Sequence, residues 1–171
     1  GVQVVAEAGR EYKTLLPKAS WAQQNPEDWW KGVAESIRSI LTESRVAPED
    51  IKVISVSSQA PAVLPMTKEG KPLHDALIWM DRRSTKELEI LEEKIGTKRV
   101  YEITGNHLDT YFTLTELMWF LRNHPDMMKK CHKILQVNGY INYKLTEVFS
   151  VDATHASLTQ LYDVHNNCWS E

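Results

Sequence analysis

The sequence has little of what usually announces chemistry. Only two cysteines, Cys131 and Cys168, occur in 171 residues. They form no CxxC pair and stand at no metal-ligand spacing, which excludes a disulfide framework and favours a reducing, cytoplasmic setting. The six histidines, His74, His107, His124, His132, His155 and His165, also fall at no ligand spacing, so no metal site is expected. There is no Walker A loop, no GxGxxG, no HExxH and no G-x-S-x-G elbow. No apolar run approaches the ~18 residues of a membrane helix, and the opening GVQVVAEAGREY lacks the basic and apolar regions of a signal peptide. Charge of one sign is scarce as well. Lys and Arg number 20 against 23 Asp and Glu, a net charge of −3, which gives no general attraction to nucleic acid or an anionic membrane. No internal repeat or low-complexity segment is found.

What is present is ordinary globular material, 42% hydrophobic and 25% charged, enough for one domain or part of a larger one. VQVV, directly after Gly1, reads as an apolar strand with its preceding turn cut away. Asn25, Pro26, Glu27 and Asp28 form a helix start, and Trp30, Val33, Ile37 and Leu41 follow at helical spacing, giving an amphipathic helix over 26–44. IKVISVS (51–57) is β-branched and weakly alternating, the pattern of a strand covered on both faces in a parallel sheet. AVLPMT, a turn at Gly70 and the strand ALIW (76–79) suggest a hairpin-like excursion.

Ser84 with Glu87, and Thr113 with Glu116, have the spacing of capping boxes. The first opens a helix with Leu88, Leu91 and Ile95, ending at Gly96; the second precedes Leu114, Leu117, Met118 and Leu121. Between them a short helix covers 99–104 and stops at Gly105. Pro125 starts another short helix, KILQV (133–137) reads as a strand, Asn138 as the cap of a helix with Tyr140, Ile141 and Leu145, and LTQLYDV as a last strand. The order implies an α/β domain with a mixed sheet and a helical insertion.

In open α/β sheets ligands sit beyond the carboxyl ends of strands, and two such ends carry unusual residues: Gln59-Ala60-Pro61 after the 51–57 strand, and Trp79-Met80-Asp81-Arg82-Arg83 after ALIW. A Trp face that stacks on a sugar, an Asp that accepts from hydroxyls and a Gln that does both describe a carbohydrate pocket. Equally open is a plain structural reading, in which Trp79 is core, Asp81 pairs with Arg82 or Arg83, and Gln59 closes a loop.

Four blocks, in order, resemble the amino-terminal domain of the FGGY carbohydrate kinases: NPEDWWKGV, VISVSSQAPAVLPMTKEGKPLHDALIWMDRRS, ITGNHLDTYFTLTELMWFLRNHP and LQVNGYINYKLTEVFSVDATHASLTQLYDVHNNCWSE. The resemblance implies an actin-like (ribonuclease H-like) α/β fold and ATP-dependent phosphorylation of a sugar or polyol hydroxyl, xylulokinase-like, with Mg²⁺ as the accompanying ion. It also implies substrate-binding roles for Gln59, Ala60, Pro61, Trp79, Asp81 and Tyr111, with Tyr111 at the place of a substrate-contacting Tyr in glycerol kinases. Tyr111 packed beside Phe112 in the core is the alternative for that residue.

Three departures stand out. Ala60-Pro61 replaces a Met-His or Arg-Glu pair, removing its side-chain hydrogen bonds; Glu116 replaces the usual Lys; and Glu147 replaces the usual Gly, which suggests a differently closed helix end. The family's opening Asp-x-Gly-Thr turn and its later Gly-Asp motif, which carries the catalytic Asp, are not in this sequence. The chain is therefore expected to be a fragment, residues 1–171, of the N-terminal sugar-binding domain of a kinase about three times as long. On that expectation no residue here is catalytic, the fragment alone is inactive, and ATP and Mg²⁺ are held mainly by other parts. A small sugar or polyol is the expected partner, with neither nucleic acid nor membrane, and a homodimer through exposed sheet edges is an expectation too. The alternative function is a non-catalytic actin-like module that binds a sugar or a protein.

Overall fold

A computed structural model describes residue 1 and residues 3–170. Helix α1 runs Pro26–Ser44, as its start signals predict: Asn25 accepts from the Glu27 N–H, Pro26 fills the first turn, and Glu27 and Asp28 meet the positive helix end. Strands β1 (Gln23–Gln24), β2 (Ala62–Met66), β3 (Ala76–Ile78) and β4 (Lys133–Leu135) form one sheet in the order β1-β3-β2-β4. Every pair in it is antiparallel, with Ala62 opposite Ile78 and Leu64 opposite Leu135. Gly70 makes the β2–β3 turn with φ +74°, and the Tyr143 ring occupies the space that a side chain there would need.

The period of two in a strand sends alternate residues to opposite faces. Ala62, Leu64 and Met66 join Trp29, Ile78, Tyr140 and Ile141 in one core, under α1 and α6 (Val137–Thr146). Val63 and Leu77 join Trp119 and Phe120 in the other, under α4 (Thr113–Asn123). Helices thus cover both faces of the sheet. Burying a side chain such as Leu64, 0% exposed, contributes about 1.5–3 kcal/mol. The remaining helices are α2 (Thr85–Lys94), α3 (Thr97–Thr104), α5 (Pro125–Met128) and α7 (Ala153–Ser157), and a hairpin of β5 (Tyr162–Asp163) and β6 (Cys168–Trp169) closes the described chain.

Several expectations are corrected. No strand forms at 51–57: no other described strand pairs with it, and Val53 and Ile54 are exposed. The parallel part of the expected mixed sheet is absent with it among the described residues. Val2 of the expected VQVV strand lies outside the described residues, and 3–5 form no strand. Neither capping box forms. Ser84 precedes α2 but its hydroxyl donates to the Thr110 carbonyl, and Glu87 reaches across to Arg122 at 2.8 Å, tying α2 to α4. Thr113 is the first residue of α4 rather than its cap; the helix start is held instead by Leu114 N–H donating to the Thr159 carbonyl. Asn138 lies inside α6 and bonds Asp152. Glu147 ends α6 in the left-handed conformation, φ 61°, its N–H on the Tyr143 carbonyl, so the helix closes as it would with glycine despite the substitution.

Candidate functional site

The chain leaves β3 through a tight turn in which the Asp81 N–H donates to the Ile78 carbonyl at 2.7 Å. That turn pushes Trp79 and Met80 outward, 46% and 47% exposed, and returns Asp81 to the interior. Trp79 is therefore not core. Asp81 is fully buried and its oxygens are taken: Oδ2 accepts from the Ala22 N–H at 2.6 Å, and Oδ1 from the Arg83 N–H at 2.9 Å. The Arg83 guanidinium closes on the same carboxylate, Nη2 to Oδ2 at 2.8 Å. Arg83 also donates to Gln23 Oε1 and lies over the Trp21 and Trp119 rings at 3.8 and 4.9 Å. Of the two arginines the sequence left open, Arg83 is the partner. A buried charge pair with this many hydrogen bonds locks the turn, and the Asp81 carboxylate is committed to Ala22 and Arg83 within the protein.

Arg82 points the other way. Its Nη1 donates to the Trp79 carbonyl at 3.0 Å, and its guanidinium lies over the Tyr111 ring at 4.7 Å. Tyr111 is half-buried and stacked on Phe112, with ring centres 4.4 Å apart, so it packs as the core reading held while keeping an exposed edge. Burial and the nearby Asp109 raise the Tyr111 phenol above its ordinary pKa, against the opposing pull of Arg82, so it stays a hydroxyl donor at neutral pH. Arg82 thus links the backbone of the turn that carries the exposed Trp79 to the Tyr111 ring, and we call these three residues the Trp79 shelf. Arg82 was not singled out by sequence reasoning; its signal is the Arg-Arg pair after Asp81, where one arginine faces in and the other out.

Pairing of β2 with β3 brings Gln59-Ala60-Pro61 to the same end of the sheet as the Trp79–Arg82 turn. The three do not converge on the shelf equally. Ala60 is half-buried and Pro61 buried. The Gln59 amide donates inward to Gln24 Oε1 at 2.6 Å, which also accepts from the Trp29 indole. Gln59 thus lines a groove of about 520 Å³ between the 54–59 segment, α1 and α6, and that groove contains neither Trp79, Asp81 nor Tyr111.

Beneath the shelf lies Glu116, 0% exposed, with neither carboxyl oxygen hydrogen-bonded; Arg83 Nη1 is likewise without a partner. Burial pushes the Glu116 carboxyl well above the usual carboxylate range, Asp81 adds to this, and Arg83 and Arg82 oppose it. Among the described residues, no three His, Cys, Asp or Glu side chains are grouped to hold a metal ion. No helix among them is long and apolar enough to cross a membrane.

Residues 2–171 match the profile of the FGGY family of carbohydrate kinases, N-terminal domain. A glycerol kinase of Alteromonas mediterranea is 33% identical over 97% of this chain and 35% of its own length. A xylulose kinase of Staphylococcus xylosus is 30% identical over 98% of this chain and 34% of its own length. Among solved structures, the xylulose kinase of Rhodospirillum rubrum superposes with a TM-score of 0.92 at 23% identity, over 99% of this chain and 35% of that one. The Plasmodium falciparum glycerol kinase with ADP superposes with a TM-score of 0.91 at 23% identity, over the same shares. The α/β arrangement is therefore the actin-like fold of these kinases, and the chain spans about a third of their length. On the family match along its described and matched residues, the chain belongs to the FGGY family of carbohydrate kinases.

Proposed function

We propose that this chain is the substrate-binding part of an ATP-dependent kinase that phosphorylates a hydroxyl of a small sugar or polyol, in its finer form xylulokinase-like. One observation carries the reading: the buried Asp81–Arg83 pair fixes a turn that leaves Trp79 half-exposed, with Arg82 bonded to its carbonyl and lying over Tyr111. The likeness to a glycerol kinase and a xylulose kinase supports the same substrate class.

Phosphoryl transfer depends on holding the attacking hydroxyl in place more than on covalent chemistry by the protein. On this shelf Trp79 stacks on the carbon skeleton, excluding water from one face. Arg82 and the Tyr111 hydroxyl donate to oxygens of the substrate, and the backbone at Ala60 supplies what its methyl side chain does not. Asp81 acts one step back, by fixing the turn that carries Trp79 and Arg82. We assign ATP and Mg²⁺ mainly to parts of the protein outside this chain. Two free cysteines, one half-buried and one exposed, support a cytoplasmic setting.

A second reading, a non-catalytic actin-like module binding a sugar or a protein, is favoured by one observation: Ala60 and Pro61 present no side-chain donor at the end of the sheet. ADP release from Mg²⁺-ATP by the full-length protein, across pentuloses, hexuloses, polyols and aldonates, separates the two. Release dependent on one of these classes is the expected result. Its absence in a folded, full-length protein overturns the kinase reading.

A further inference from the structure

Segment 51–57 has the residues of a strand without a strand's hydrogen bonds. Val53 and Ile54 are 80% and 58% exposed. From Lys52 to Ala60, no backbone N–H donates to another described residue. An extended run with an open row of N–H and C=O groups is a template for a further strand, and β-branched residues such as these favour that pairing.

The same segment borders the groove of about 520 Å³ described above. Ile54 and Val56 line it, Val33 and Ile37 of α1 and Ile141 and Leu145 of α6 supply other walls, and Arg10 and Tyr12 line a further side. Those last two belong to a second extended run, 3–14, in which again no backbone N–H donates to a described residue, and in which Val4 and Val5 are 75% and 64% exposed. Two runs with open backbones and exposed valines thus border one groove with apolar walls. A helix satisfies its backbone groups internally and cannot answer an open ladder; a strand can, while burying apolar side chains in the groove. The chain spans 35% of the length of the Alteromonas glycerol kinase, so a protein of that length has about two thirds of its residues outside this chain to supply one.

We propose that a β-strand with apolar side chains, from the part of the protein outside residues 1–171, lies in this groove and pairs with 51–57. Because that segment runs directly into Gln59-Ala60-Pro61, the pairing also fixes the corner at the end of the sheet. The inference concerns how the chain joins the rest of its protein and does not depend on the carbohydrate reading. Hydrogen exchange resolved to single amides in the folded, full-length protein tests it. Amides within 51–57 are expected to exchange about a hundredfold or more slowly than in an unstructured peptide. Exchange at the unstructured rate overturns the proposal. Protection present only at concentrations where the protein dimerises overturns it too, because the occupant is then a second copy. A further comparison separates pairing from mere cover. Backbone N–H groups of the neighbours Val53 and Ile54 point to opposite edges of a strand, so at least one of Val53→Pro and Ile54→Pro removes a ladder bond. At that position, protection across 51–57 is expected to fall about tenfold or more below that of the alanine variant. Equal protection in the proline and alanine variants at both positions overturns the pairing, and exchange in the unaltered protein decides the matter if a variant does not fold.

Discussion

The first turns of α2 and α4 look alike in sequence and end in opposite electrostatic states. Each has a hydroxyl residue followed three positions later by glutamate, Ser84 with Glu87 and Thr113 with Glu116. Both glutamates are buried, at 1% and 0% exposure. Glu87 forms an ion pair with Arg122 on the facing helix at 2.8 Å, whereas Glu116 has no ion pair or hydrogen bond among the described residues and sits beside the already committed Asp81–Arg83 pair. The lesson is that a local spacing fixes where a carboxyl begins and not what it meets. A cation from a distant element decides whether the group is a tie or a strain.

Breaking the tie that all of this surrounds has the largest expected effect. Asp81→Ala leaves Arg83 charged, buried and without its carboxylate, at a cost of about 3–5 kcal/mol, read as a lowered denaturant midpoint. Glu87→Ala removes the link between α2 and α4 but leaves Arg122, 39% exposed, free to return to water. The expected loss is smaller, about 1–2 kcal/mol by the same measurement.

Glu116→Gln sharpens the contrast because its sign is opposite. A carboxyl whose folded-state pKa lies above the ordinary 4.5 holds its proton longer when folded than when unfolded, so stability falls as pH rises from 4.5 toward the folded value. The glutamine carries no such penalty. The variant is expected to match the parent near pH 4 and to exceed its melting temperature at pH 7, by about 1–2 kcal/mol of stability. A constant difference across that range contradicts the assignment. Smallest is Glu147→Gly: the residue at φ 61° is relieved of its Cβ strain, less the entropy that glycine gives the unfolded chain. A gain of about 0.5–1 kcal/mol is expected, again as a rise in melting temperature.

Sequence alone made α1 legible to its ends, because its start signals are local: Asn25, Pro26 and the acidic first turn act on their own helix. It also placed β2, β3 and their Gly70 turn. It misread 51–57, whose β-branched residues are as apolar as those of β3, because a strand needs a partner backbone and none of the other described strands supplies one. At the site the same division holds. Position and resemblance single out Trp79 and Tyr111, and both keep surface open to solvent. That Arg83 turns inward, that Arg82 bridges Trp79 to Tyr111, and that Gln59 turns away to Gln24 all depend on Ala22, Gln23, Gln24 and Trp119, residues far away in the chain.

Whether the Trp79 shelf holds the carbohydrate is tested most directly by steady-state kinetics of Trp79→Ala in the full-length protein. With the carbohydrate that supports ADP release, kcat/KM is expected to fall by about tenfold or more, carried mainly by KM for the carbohydrate, with KM for ATP unchanged. An unchanged KM for the carbohydrate, in a variant that melts like the parent, would contradict it.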